Sequence, residues 1–166
     1  MDEVTPPPAT ELIIATRNAV ADAMVAIGTV AGLRVTVLGD DDPEGTPRER
    51  LAHRPPARRA AVVVADHDAP GAYDLLREAL RGDAGYVAML ASRSRTAAVH
   101  ELLTSEGFDA AALERLHLPA GLNTGGKTPG EMALSVVAEV VAWSHGRTGH
   151  PMREGTSPAS PDAPSA

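Results

Sequence analysis

Gly121-Leu122-Asn123-Thr124-Gly125-Gly126-Lys127-Thr128 carries the G-x-x-x-x-G-K-[ST] spelling of a phosphate-binding loop. In such a loop backbone N–H groups wrap phosphate oxygens and the lysine adds a point charge, provided a buried strand enters and a helix leaves. The helix is well signalled: Thr128 can cap it, Pro129 suits its first position, and Glu131 completes a capping box. The strand is not, because Leu116-His117-Leu118-Pro119-Ala120 is short and broken by proline. One helix and a polar tail follow, leaving no later strand for a magnesium-binding aspartate, so nucleoside triphosphate hydrolysis is not expected. Two readings remain open: an anion seat at a helix N-terminus, or a plain glycine loop before a capped helix.

Other chemistry-bearing residues sit in short polar stretches after apolar runs: Thr16-Arg17-Asn18, Gly39-Asp40, Asp66-His67-Asp68 and Ser92-Arg93-Ser94-Arg95. Arg93 and Arg95 open a helix, where arginine gains nothing from the dipole; a bound anion or plain solvent exposure accounts for them. Asp66-His67-Asp68 has metal-ligating residue types, and His67 could act as a general base. Adjacent side chains on an extended chain diverge, so two of the three would reach one ion and no metal site is expected.

Composition narrows the function classes. The 166 residues allow one domain with a sizeable core, and 43% are apolar, but only 2% are aromatic. The net charge of -7 and the scarcity of stacking rings disfavour nucleic-acid binding. With no cysteine there is no disulfide, thiolate metal ligand or cysteine nucleophile. The longest apolar run, around residues 19–38, is broken by Asp22 and Arg34, so no membrane span is expected. Without a leader-like N-terminus, the cytoplasm is the expected compartment.

The elements that must position these residues alternate strand and helix, which implies a parallel sheet with helices on both faces. Strands are expected at 12–15, 33–38, 60–65 and 86–90, and helices at 18–31, 72–80, 93–106 and 129–144, with a short helix after Asp109. Val99, Leu102 and Leu103 should face inward. The last helix is apolar most of the way round, so it is deeply buried or forms an interface. The 39–59 connection has room for little more than one helical turn, and its arginines read as a solvated loop. Residues 1–10 and 146–166 read as disordered tails flanking one domain at 11–145. Loops leaving the C-terminal ends of parallel strands share one edge, where a small polar anion or nucleotide-like ligand would bind.

Asp66-His67-Asp68, Asp74-Leu75-Leu76, Tyr86 to Arg93, Gly121 to Gly125 and Thr128 to Ser135 together resemble the Rossmann domain of XdhC/CoxI proteins. The likeness is strong from about Ala60 to Trp143 and weaker from Glu11 to Leu38. It implies a shortened Rossmann-like α/β domain of about five strands. It also implies an accessory protein serving molybdenum hydroxylases of the xanthine dehydrogenase or carbon monoxide dehydrogenase type. Members bind the molybdenum cofactor, as molybdopterin or its dinucleotide, protect it during sulfuration and deliver it to the apoenzyme and its maturation machinery. On that reading Asn123, Gly125, Gly126 and Lys127 hold an anionic end of the cofactor, helped by Ser92 and Arg93. Asn18, Asp40, Asp66, His67 and Thr128 complete the expected contacts.

The chain departs from the family pattern in places. Thr16, Asn18 and Ala21 stand at the glycines of the first turn, Gly39 stands at the acid closing the second strand with Asp40 beside it, and an edge strand is missing after it. The usual N-terminal domain and its cysteine are not seen. Two other readings follow: an NAD(P)-dependent oxidoreductase or nucleotide-binding Rossmann protein, disfavoured by the altered glycine turn, and a non-catalytic interaction module whose 129–144 helix meets a second copy or a cofactor-binding partner.

Overall fold

The computed structural model describes residues 9–154. Of the expected tails at 1–10 and 146–166, residues 1–8 and 155–166 lie outside the described residues.

Five parallel strands form the sheet: β1 (Glu11–Ala15), β2 (Arg34–Leu38), β3 (Ala60–Val64), β4 (Tyr86–Met89) and β5 (Leu116–His117). Their order is β2-β1-β3-β4-β5, a doubly wound arrangement. The segment 116–120 therefore does contain a strand, two residues long and paired with β4 before the cis Leu118–Pro119 bond. Every residue of β3 is buried, as a central strand covered on both faces requires.

Alternating side chains feed two cores. On one face Leu12, Ile14, Ala61, Val63, Tyr86 and Ala88 pack under α1 (Ala19–Val30) and α6 (Pro129–Ser144). On the other, Ile13, Val62, Val64, Val87 and Met89 meet α2 (Pro47–His53), α3 (Ala72–Arg81) and α4 (Thr96–Ser105). A helix α5 (Ala110–Glu114) begins where Asp109 accepts from the Ala112 N–H at 2.8 Å. The apolar girth of α6 has a direct cause: it packs on the sheet and on α1 at once, burying Ala133, Val136, Val137, Val140 and Trp143. Leu134 is the large apolar side chain it leaves exposed.

Four expectations change. The 39–59 connection holds a seven-residue helix rather than little more than one turn, because Thr46 and Glu49 form a capping box ahead of Pro47. Its Arg50 is not simply solvated; it pairs with Asp42 and with Glu44. Leu102 does not face inward but is 38% exposed, since Val99 and Leu103, four residues apart on one face of α4, take the core side. At the C-terminal end, Gly146 is buried, and a side chain at Gly149 would press on Leu122 of the glycine loop. Packing therefore continues past residue 145.

Candidate functional site

In a doubly wound sheet the strand order reverses once, and ligands lie outside the strands' carboxyl ends at that point. Here the reversal falls between β1 and β3. A groove of about 820 Å³ opens there and runs across the ends of β3, β4 and β5. Asn18, Asp66, His67, Ser92, Arg93, Asn123, Gly125, Gly126 and Lys127 all line it. Four loops remote in sequence thus converge on one edge, as a parallel sheet dictates.

Asp40 and Thr128 stand apart from the groove. Asp40 is exposed past the end of β2, and the structural role there falls to Asp42. Asp42 accepts the Gly39 N–H at 2.9 Å and pairs with Arg17 and Arg50. The Gly39 hydrogen bond, with Arg17 and Arg50 close by, holds its carboxyl below the usual range against the effect of burial. Thr128 is consumed in capping α6: its hydroxyl faces the Glu131 carboxylate and the Glu131 N–H.

That cap alters the anion seat. Glu131 Oε2 accepts from the N–H groups of Lys127 and Thr128, each at 3.0 Å. An internal carboxylate therefore sits where a phosphate-binding loop would offer its donors. The Thr128 N–H and hydroxyl, then the Lys127 N–H, hold the Glu131 carboxyl below its ordinary value. Cationic chemistry in the groove consequently rests on the side chains of Lys127 and Arg93. At Gly125, φ is +78° and an added Cβ would meet nothing within 4 Å, so its backbone stands open to the groove.

The first turn is also altered. Thr16 adopts φ +78°, the conformation usually left to glycine, and its hydroxyl is buried with no hydrogen-bond partner among the described residues. Asn18 caps α1 through the Ala21 N–H at 2.8 Å and sends its amide across to the Ala65 carbonyl at 3.0 Å. The Asn18 side chain thereby bridges the β1–β3 crevice, where a dinucleotide pyrophosphate would pass.

At Asp66-His67-Asp68 the chain is not extended. The Asp68 N–H turns back onto Asp66 Oδ1 at 2.9 Å. One donor atom from each of the three residues then lies within 4.8 Å of the others, which corrects the divergence expected of neighbours.

Sequence reading missed the support beneath the glycine loop. Glu139 of α6 accepts the Tyr86 hydroxyl at 2.6 Å and the Gly121 N–H at 2.7 Å, and its other oxygen meets His117 Nδ1 at 3.2 Å. The His117 ring stacks on Tyr86 with centroids 4.1 Å apart. Burial pushes the Glu139 carboxyl up, but His117, Tyr86 and the Gly121 N–H together outweigh it and leave the pKa lowered. Burial, then the nearby Glu139 charge, pushes the Tyr86 hydroxyl well up. A glutamate amid the apolar run of residues 132–143 was the available signal.

A second cavity of about 320 Å³ lies between α2 and the β1–β2 edge, lined by Ile13, Thr36, Leu38, Leu51 and Arg54 among others. Glu11, Glu44, Arg50 and His53 also line it, and it shares none of the groove's residues.

Residues 12–140 match the family model described as the XdhC Rossmann domain. The chain belongs to the XdhC family. A curated relative, the uncharacterized protein YqeB of Escherichia coli (strain K12), is 32% identical over 74 residues, covering 45% of this chain and 14% of that protein. A crystal structure described as a xanthine dehydrogenase from Bacillus halodurans superposes with a TM-score of 0.64 at 20% identity, over 81% of this chain and 42% of that one. At that identity the likeness shows a shared Rossmann-like fold. The XdhC-type chain spans 14% of the length of the first and 42% of the second. Among its described residues, no helix is long and apolar enough to cross a membrane.

Proposed function

We propose that this XdhC-family chain is an accessory factor for a molybdenum hydroxylase of the xanthine dehydrogenase or carbon monoxide dehydrogenase type, and that its groove holds the molybdenum cofactor. The observation that carries the reading is the convergence of nine sequence-predicted residues on one polar groove at the sheet's carboxyl edge. Membership of the family supports the partner class.

The residues present fit the phosphate-bearing end of such a cofactor. Lys127 and Arg93 supply charge, Gly125 leaves room for close backbone approach, and Asn123 and Ser92 supply neutral hydrogen bonds. They do not offer a soft ligand for molybdenum, because the chain contains no cysteine. When bound, the cofactor would bring the redox chemistry of the hydroxylase it is destined for. This chain's part is to bind and orient it: Glu139 fixes Gly121 at the root of the loop, and Glu131 keeps free phosphate from settling at the start of α6. The partner is the hydroxylase apoenzyme or its maturation machinery. The compartment is the cytoplasm, where this cofactor is handled.

An NAD(P)-dependent activity has less support, because Asn18 bridges the crevice that the pyrophosphate would use. A homodimer through α6 is likewise less favoured, since that helix already spends its apolar face on the sheet and α1.

The test is anaerobic purification from the native host, followed by molybdenum and oxidised-pterin analysis beside a Lys127→Ala copy. Stoichiometric cofactor in the parent and a clear loss in the variant are expected. Cofactor absent from both, with no hydroxylase co-purifying, would refute the reading.

A further inference from the structure

We propose that Asp66, His67 and Asp68 form a divalent-metal site at the rim of the groove, suited to a borderline cation such as zinc. Nothing in family membership assigns such a site, and the argument stands apart from the molybdenum-cofactor reading.

Imidazole orientation comes first. His67 Nδ1 lies 2.9 Å from the Leu90 carbonyl oxygen, at the end of the neighbouring strand β4. A carbonyl oxygen only accepts, so Nδ1 carries a ring proton, and in the neutral ring Nε2 presents its lone pair. A histidine ring held by a backbone carbonyl behind it is the usual arrangement of a metal ligand, because the carbonyl fixes both tautomer and direction. The side chain is only 21% exposed, so the ring is not free to swing away.

Nε2 then faces Asp68 Oδ2 at 3.2 Å. In the neutral tautomer both atoms are acceptors and a cation beside them would join the two, whereas in the imidazolium Nε2–H donates to Asp68. Asp66 adds its second carboxylate to the same corner, and one donor from each residue falls within 4.8 Å of the others. Donors about 2 Å from a common zinc ion lie about 3.3 Å apart in a tetrahedron, so rotation of the aspartate side chains would have to draw the set in around the ion. Arg95 lies 3.6 Å from the other Asp68 oxygen and offsets one negative charge, leaving the second for an ion.

One nitrogen and two carboxylate oxygens suit zinc, cobalt or manganese over calcium, which wants six or more oxygens, and over copper(I), which wants sulfur. Three protein ligands leave a coordination position open. Asp66 and His67 both line the groove, so that position faces whatever occupies it. A metal there would join Arg93 in drawing an anionic group to this side.

The experiment uses the full chain, stripped with chelator and titrated with zinc chloride by calorimetry in a non-coordinating buffer. Cobalt(II) visible absorption provides a second readout. One equivalent of zinc should bind, and the affinity should fall at least about tenfold in His67→Gln and in Asp66→Asn, the scale on which disturbing a metal site acts. His53→Gln, remote from the groove, should leave binding unchanged, and circular dichroism should show each variant folded. Cobalt should give a ligand-field band that zinc displaces. No saturable binding, or equal binding in the His67→Gln variant, would overturn the proposal. So would loss of binding confined to the remote histidine.

Discussion

Removing the Glu139 carboxylate should cost more stability than any groove substitution, and the cost should depend on Tyr86. In Glu139→Ala the Tyr86 hydroxyl, on a side chain fully buried between the sheet and α6, loses its acceptor with no route to water. Stranding such a group costs about 2 kcal/mol. The Gly121 N–H, less deeply placed, adds about 1 kcal/mol, so the variant should be destabilised by roughly 3 kcal/mol. Urea unfolding followed through Trp143, the only tryptophan and 5.6 Å from the Tyr86 ring, reports on this region directly. In a Tyr86→Phe background the same Glu139→Ala change should cost about 1 kcal/mol, because the stranded hydroxyl is gone. A loss below about 0.5 kcal/mol, or an equal loss in both backgrounds, would refute the network as drawn.

Acidity gives an independent check. The folded-state pKa of Glu139 is depressed below the ordinary 4.5, so the unfolded chain binds the proton more readily. Its contribution is therefore present above 4.5 and lost as pH falls through the lower folded value. The stability gap between the parent and Glu139→Gln should be widest near neutrality and should narrow below pH 4.5.

Other outcomes follow from local geometry. Gly85→Ala would drive a methyl into the Arg58 carbonyl and to 2.7 Å from Trp143, so equilibrium unfolding should show a loss of at least about 2 kcal/mol. Thr16→Gly removes both a strained positive φ and a buried unpartnered hydroxyl, and should raise the urea midpoint by about 1 kcal/mol equivalent despite the entropy glycine adds to the unfolded chain. Glu131→Gln keeps the cap of α6 but discharges the internal anion, so calorimetry should show inorganic phosphate binding roughly two- to fivefold tighter.

Much of the candidate site is legible in the sequence, and the reason is topological. Parallel strands joined by helices bring the loops at their carboxyl ends to one edge, so reading strands at 12–15, 60–65 and 86–90 already grouped Asn18, Asp66, His67, Ser92 and Arg93 with the glycine loop. Helix starts were equally readable, because Thr128, Pro129 and Glu131 act within one turn of chain. The 39–59 helix had the same signature in Thr46, Pro47 and Glu49 and was obscured by the surrounding prolines and charges.

Sequence by itself thus determined what depends on neighbours along the chain: periodicity, caps, the absence of cysteine and the parallel order that gathers the loops. Tertiary structure decided what depends on atoms far apart in the chain. Tyr86, His117, Gly121 and Glu139 meet only because β4, β5 and α6 pack together, and no local pattern links positions so widely spaced. Asn18 closes the first crevice only because Ala65 ends the adjacent strand. Asp66 and Asp68 converge through a turn, and the Leu90 carbonyl of another strand orients the histidine between them. Hydrogen-bond direction is fixed by the packed partners, and those exist only once the sheet has closed.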